Sequence, residues 1–205
     1  MPPITNSVKH LIIINVLVFM GVNTFFRNNE AIPYLALFYP ESEFYKPWQI
    51  ITHMFMHGGV SHLLFNMLSL FFIGPLMETY LGSKRFLTFY FVCGFGGAIL
   101  HFIFQYYTYH FLGNDSVLYT PAVGASGAIN GLFIGLAYLF PNIEMYMMFI
   151  PVPIKAKYLA IGLLVYDLFS GMTGMSTGIA HFAHLGGALF GFLLLVHWRK
   201  GRKDV

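Results

Sequence analysis

Apolar positions fall into six runs separated by polar or glycine- and proline-bearing stretches: Lys9 to Phe26, Ser61 to Leu81, Phe86 to Tyr107, Ser126 to Phe140, Tyr158 to Ser170 and Gly178 to Trp198. About 20 helical residues, at about 1.5 Å of rise each, cross a hydrocarbon core of about 30 Å, and every run is long enough or nearly so. The pattern predicts an all-α integral membrane protein. Its expected form is a six-transmembrane-helix bundle with a short sunken fourth helix and a long membrane-associated outer loop between helices one and two. No repeat, linker or low-complexity tract interrupts the pattern, so residues 1–205 read as a single polytopic membrane domain.

Composition sharpens this reading. The chain is 57% hydrophobic and only 9% charged, against roughly a quarter charged in ordinary soluble domains, which excludes that class. Its single cysteine, Cys93, excludes an intrachain disulfide or a zinc site built on two thiolates. A net charge of +3 is too small to suggest nucleic acid as a partner, but its placement is informative. With the N-terminus inside, Lys9, Lys84, Arg85, Lys155, Lys157, Arg199, Lys200, Arg202 and Lys203 are inside, whereas Arg27 and Lys46 are outside. That asymmetry predicts both termini on the cytoplasmic side. No small-x-small cleavage site follows the first apolar run, which is therefore read as a span and not as a secretory signal.

The loop from Arg27 to Val60 carries Tyr34, Phe38, Tyr39, Phe44, Tyr45 and Trp48, amphipathic rings suited to the headgroup level. It reads either as an interfacial anchor or as a device that admits a substrate. The fourth run, with 15 residues, is too short for the core, so its outer end is expected below the membrane surface. Non-helical backbone at that depth must be buried in protein or line water, which places Leu118 to Ala125 beside an aqueous cavity with Ser126 at its floor. The turn Gly124-Ala125-Ser126-Gly127 then offers a hydroxyl beside the unpaired amides of a helix start.

Gly127, Gly131 and Gly135 recur every four residues and form a face along which another helix can approach closely. The sixth run supplies a counterpart in Gly187 and Gly191, with His184 on the same face. Pressing the two faces together brings Ser126 towards His184, a hydroxyl towards an imidazole able to take its proton. Asp167 is read as an interfacial residue of the fifth run, which leaves a Ser–His dyad. His62 and Asn66, four apart on the second run, present polar groups at similar depth, either to stabilise an oxyanion or to tie helices together.

Three strings resemble the hallmark segments of the rhomboid family of intramembrane serine proteases: Gly124 to Gly127, Ala183 to Gly191 (AHLGGALFG), and His57 to Asn66 (HGGVSHLLFN). Trp48, Thr52, His53 and His57 are similar to the family's approach to the second helix. The resemblance implies Ser126 as nucleophile, His184 as general base and acid, and His62 and Asn66 with the Ser126 amide as oxyanion donors. Gly124, Gly127, Asn130 and Gly187 would support them. It further implies cleavage of transmembrane protein substrates near their outer ends within the lipid bilayer, without metal or cofactor. The implied setting is a multi-pass protein of the bacterial inner membrane. Two positions depart from the family pattern: Gln49 stands where many members have arginine after the tryptophan, and Asn130 where an aromatic ring commonly stacks on the histidine. Asn130 is expected to hydrogen-bond the imidazole instead.

Rival readings are a histidine metal site built from His53, His57, His62, His181 and His184, and a rhomboid-like scaffold that binds membrane clients without cutting them. Imidazoles suit zinc, copper or iron. Against the metal stands the absence of an H-E-x-x-H string and of any expected carboxylate beside the histidines. Unequal spans without inverted repeats argue against a transporter. His10, His101, His110 and His197 read as interfacial or packing residues, and Cys93 as a small packing residue.

Overall fold

The computed structural model describes residues 3–26, 30–147, 150–173 and 180–200. Arg27, Arg202, Lys203 and the expected start of the sixth run at Gly178 lie outside the described residues. The long helices are α1 (Asn6–Phe25), α2 (Val60–Leu81), α3 (Ser83–His110), α4 (Ser126–Leu139), α5 (Ala156–Thr173) and α6 (His181–Lys200). The chain is a mostly helical, integral multi-pass membrane protein. Four helices, α1, α2, α3 and α6, are long and apolar enough to cross a membrane. α4, with 14 residues, falls well short of the about 20 that a crossing needs. α5 has 18 residues, but Lys157, Asp167 and a polar C-terminal turn dilute its hydropathy.

The expectation of an all-α chain needs one correction. Between α4 and α5 the chain forms an antiparallel hairpin, β1 (Glu144–Met147) with β2 (Ile150–Lys155), in which Glu144 faces Lys155 and Met145 faces Ile154. Aromatic and β-branched residues favour a strand here, and a two-stranded ribbon, in which both strands are edge strands, is where proline is tolerated. The hairpin occupies the connection between α4 and α5, so the span boundaries are little affected.

The long loop before α2 is organised by one neutral side chain. Gln49 is fully buried; its Nε2 donates to the Pro33 and Phe44 carbonyls at 2.9 Å each, and its Oε1 accepts from the amides of Phe38 at 3.3 Å and Lys46 at 3.1 Å. These four bonds use the amide's whole capacity, so the position needs no ion pair. Trp48 donates from Nε1 to the Tyr34 carbonyl, and Thr52 from its hydroxyl to that of Leu35. Farther along, Leu37 and Ala122 exchange both backbone hydrogen bonds at 2.9 Å, which fastens the loop to the segment leading into α4. Glu41 meets His110 at the end of α3 at 2.8 Å, and that hydrogen bond holds the Glu41 carboxyl below its usual range.

The core lies between α2, α3, α4 and α6, where Leu70, Met77, Phe86, Phe89, Tyr90, Cys93 and Leu132 are buried together. At the end of the bundle away from Ser126, buried Glu78 of α2 accepts from the Ser7 and Val8 amides at the start of α1, and from the hydroxyls of Thr5, Ser7 and Ser83. A carboxylate at two helix starts satisfies donors those helices leave unpaired and complements their dipoles.

Candidate active site

The site is built around the approach to α4. Gly124 has φ 117° and donates its N–H to the His53 carbonyl at 2.8 Å. A Cβ there would stand 2.7 Å from the His62 ring, so both the backbone angle and the space require glycine. The turn delivers Ser126 as the first residue of α4, where the amides of the opening turn have no intrahelical partners.

α4 and α6 meet backbone to backbone. A Cβ on Gly187 would collide with the Gly127 carbonyl oxygen, and one on Gly131 would reach the Gly187 carbonyl at 2.9 Å. Gly127 abuts the Ala183 carbonyl, and Gly191 lies against Gly131. The expected seam therefore forms, with two amendments. Gly135 faces Met77 and Phe89 instead of α6. α3 is the third member of the seam: Gly97 lies against the Ala183 carbonyl, Gly186 against that of Gly96, and buried Cys93 packs on Gly131 and Gly191.

Across this seam His184 Nε2 stands 2.9 Å from Ser126 Oγ. Its other nitrogen, Nδ1, is 3.0 Å from Asp167 Oδ1, and His181 Nδ1 is 2.7 Å from the same oxygen. An Nδ1–H donated to a carboxylate leaves Nε2 as the acceptor for the serine hydroxyl, the tautomer that proton abstraction requires. Asp167 is 3% exposed, so the reading of it as an interfacial residue is corrected. It points from α5 into the bundle and touches the imidazole that faces Ser126.

Ser126, His184, His62, Asn66, Gly124, Gly127 and Asn130 line one cavity of about 1710 Å³. Its wall includes Thr120 to Gly124, part of the 118–125 segment expected to border a cavity, and Val117 just before it. Asn66 is buried and spends one Nδ2 hydrogen on the His62 carbonyl at 2.8 Å. His62 packs edge-on to His57 with ring centroids 5.1 Å apart. Asn130 donates to the Ser126 carbonyl at 3.1 Å and not to the imidazole, so its expected bond to His184 is replaced by one that firms the first turn of α4. His101, read as a packing residue, lines the same cavity, and among the described residues neither of its ring nitrogens has a partner. Nothing in its apolar helix marks it in the sequence.

Metal chemistry can be tested on this geometry. Asp167, His181 and His184 bring three ligand atoms within 4.8 Å of one another, so the expectation of no carboxylate near the histidines is overturned. Ligand atoms of a tetrahedral site with bonds of about 2.0–2.1 Å stand about 3.3 Å apart. Here the carboxylate oxygen lies at 2.7 and 3.0 Å from the two nitrogens, the spacing of hydrogen bonds. His184 also commits its second nitrogen to Ser126. Among the described residues His53, His57 and His62 do not join that ligand group. Burial, chiefly, pushes both His53 and His57 down to about 4, which keeps them neutral at ordinary pH.

The rhomboid domain family matches residues 45–200. RHOMBOID-like protein 4 of Arabidopsis thaliana is 36% identical over 148 residues, covering 72% of this chain and 33% of that protein. The rhomboid protease AarA of Providencia stuartii is 33% identical over 162 residues, covering 73% and 55% respectively. The rhomboid protease GluP of Bacillus subtilis (strain 168) is 32% identical over 146 residues, 71% of this chain and 25% of that protein. The matched part is thus between a quarter and little more than half of these relatives' length.

Proposed function

The chain belongs to the rhomboid family, and on that footing we propose that it is an intramembrane serine endopeptidase that cleaves transmembrane helices of membrane-protein substrates near their outer ends. The observation that carries this reading is Ser126 Oγ 2.9 Å from His184 Nε2 on the wall of a large cavity. All six long helices cross the bilayer in this reading, with both termini on the cytoplasmic side, the bacterial inner membrane being the setting. The short α4 keeps Ser126 below the outer surface and within reach of a helix that enters from lipid.

In the proposed reaction Ser126 Oγ attacks the scissile carbonyl carbon while its proton passes to His184 Nε2. The oxyanion is stabilised by the Ser126 amide together with His62 and Asn66, donors that matter most once charge has developed. His184 returns the proton to the leaving amine, and a water deprotonated by the same imidazole hydrolyses the acyl-enzyme. Asp167 does not touch the reacting atoms. It holds the Nδ1–H of His184, fixing tautomer and ring orientation, so we place it as a positioning residue beyond the serine–histidine pair.

The test is cleavage of a single-span membrane substrate by purified protein in detergent. Wild type is expected to cut it, with activity unchanged by EDTA or phenanthroline, whereas Ser126→Ala is expected to be inert. Undiminished cleavage by the alanine variant would refute the nucleophile assignment. A folded wild-type protein that binds the substrate without cutting it would favour a client-binding scaffold.

A further inference from the structure

The end of the bundle opposite Ser126 holds a second cavity, of about 270 Å³, walled by Tyr80 of α2, Arg85 of α3, Tyr138 of α4, and Trp198 and Arg199 of α6. Tyr138 follows Ser126 on the same helix by twelve residues, a separation of about 18 Å along its axis. We propose that this cavity binds the phosphate-bearing headgroup of an anionic phospholipid.

Both cations are held in place by rings. The Arg85 guanidinium carbon lies 5.7 Å from the Trp198 ring centre, and that of Arg199 lies 5.9 Å from the Tyr138 ring centre. Such contacts leave the edges of a guanidinium free, because the ring covers only its face. Among the described residues Arg199 makes one hydrogen bond, from Nη1 to the Tyr138 hydroxyl at 3.3 Å, and Arg85 makes none. Among the described residues neither meets a carboxylate. Each guanidinium carries five N–H donors, so most of the donor capacity around the cavity is unspent.

A simpler role for these arginines would be to satisfy the terminal carbonyls of α2, α4 and α6, which all end here. Among the described residues neither guanidinium donates to one. Both guanidinium-bearing residues, exposed themselves, border a space lined also by the exposed Tyr80 and by Leu81, Leu139 and Leu195. Two arginine forks beside phenol hydroxyls match a phosphate, which accepts paired N–H bonds, and the leucines match the start of the acyl chains. The volume lies just under the about 300 Å³ typical of the smallest sites for drug-sized ligands, enough for a headgroup and not for a whole lipid. Basic pockets between helices at a membrane face are suited to anionic headgroups, and this face also carries Lys84 and Lys200.

The test uses the chain's own fluorescence. Trp48 and Trp198 are its two tryptophans, so Trp48→Phe leaves Trp198, in the cavity wall, as the reporter. Brominated phosphatidylglycerol titrated into the detergent-solubilised protein is expected to quench it saturably, with half-saturation about tenfold below that of brominated phosphatidylcholine. Arg85→Gln with Arg199→Gln should raise the phosphatidylglycerol half-saturation by about tenfold. Lys84→Gln with Lys200→Gln removes the same charge from neighbouring positions that do not line the cavity and should change it by less than about twofold. Equal quenching by the two lipids, or an equal loss in the lysine pair, would overturn a built site in favour of diffuse surface attraction. Glycerol 1-phosphate and inorganic phosphate compete in a separate arm. Weak competition supports the lipid as ligand, whereas saturation by either as tight as that of phosphatidylglycerol would reject a lipid source. Unchanged gel-filtration elution of the arginine pair shows that any loss of quenching is not a loss of fold.

Discussion

α4 and α5 are successive helices that each fall short of an ordinary membrane crossing, yet they are held in opposite ways. α4 buries Gly127, Ala128, Ile129, Gly131, Leu132, Gly135 and Leu136, half of its length, with Gly127 and Gly131 set against the backbones or sulfur of α3 and α6. α5 buries Ala156, Ala160, Asp167 and Ser170, and leaves Tyr158, Ile161, Val165, Tyr166, Leu168, Phe169 and Met172 exposed. Where backbone presses on backbone, no side chain can rotate to absorb a change, so position is fixed to a few tenths of an ångström. Ser126 and His184 are mounted on that fixed seam. The carboxylate that hydrogen-bonds the histidine comes from the helix with the sparser footing, and the two regions should therefore respond differently to the same kind of substitution.

The largest effect is expected at the seam. Gly187→Ala puts a methyl group onto the Gly127 carbonyl oxygen, a clash with backbone that should cost about 3 kcal/mol or more and remove cleavage with it. Unfolding and activity measured on one preparation would show both losses. Wild-type stability in this variant would mean that the seam can open, and that the contrast with α5 is overdrawn.

Next come the donors across the cavity. Asn66→Ala and His62→Ala should each lower kcat by about 10² to 10³ while KM stays near the wild-type value, because the charge they stabilise appears only after attack. If these side chains only tie helices together, the melting temperature falls and kcat of the folded fraction does not. Asp167→Asn keeps the shape but not the acceptor. Loss of the right tautomer costs about 10⁴ in well-ordered triads. Here the seam itself fixes the backbone of α6, so a smaller fall in kcat, about 10 to 10², is expected with KM unchanged. A loss as complete as that of His184→Ala would show that control of the imidazole resides in α5 and not in the seam. His181 shares Asp167 with His184, so His181→Ala should fall between wild type and Asp167→Asn. The smallest effect is at Gly162 of α5, where a Cβ would meet nothing within 4 Å. Gly162→Ala should leave activity unchanged and add up to about 1 kcal/mol of stability.

Most of this architecture is legible in the chain, and the exceptions have physical causes. Apolar runs mark the helices because lipid demands them, and a glycine every fourth residue marks a face meant for another backbone, so Ser126 and His184 are found without coordinates. Asp167 is not placed correctly, because a helix exposed on most of its surface has no apolar stripe to fix its rotation. The same acid faces lipid headgroups or the bundle interior according to that angle alone. The part α3 plays in the seam is hidden in Gly96 and Gly97, whose spacing repeats no period. The hairpin is missed because its apolar, β-branched segment is too short to be told from the fringe of a span. Gln49 departs from the family's pattern as a residue type, yet its four hydrogen bonds order the loop through a neutral amide.

Whether His184 activates Ser126 across the α4–α6 seam can be read from covalent labelling by a fluorophosphonate probe. Labelling needs only an activated serine, so it does not depend on knowing the substrate. Wild type is expected to be labelled at Ser126, Ser126→Ala not at all, and His184→Ala more slowly by about 10² to 10⁴. Labelling of Ser126→Ala at the wild-type rate, or an undiminished rate in His184→Ala, would contradict activation of Ser126 by His184.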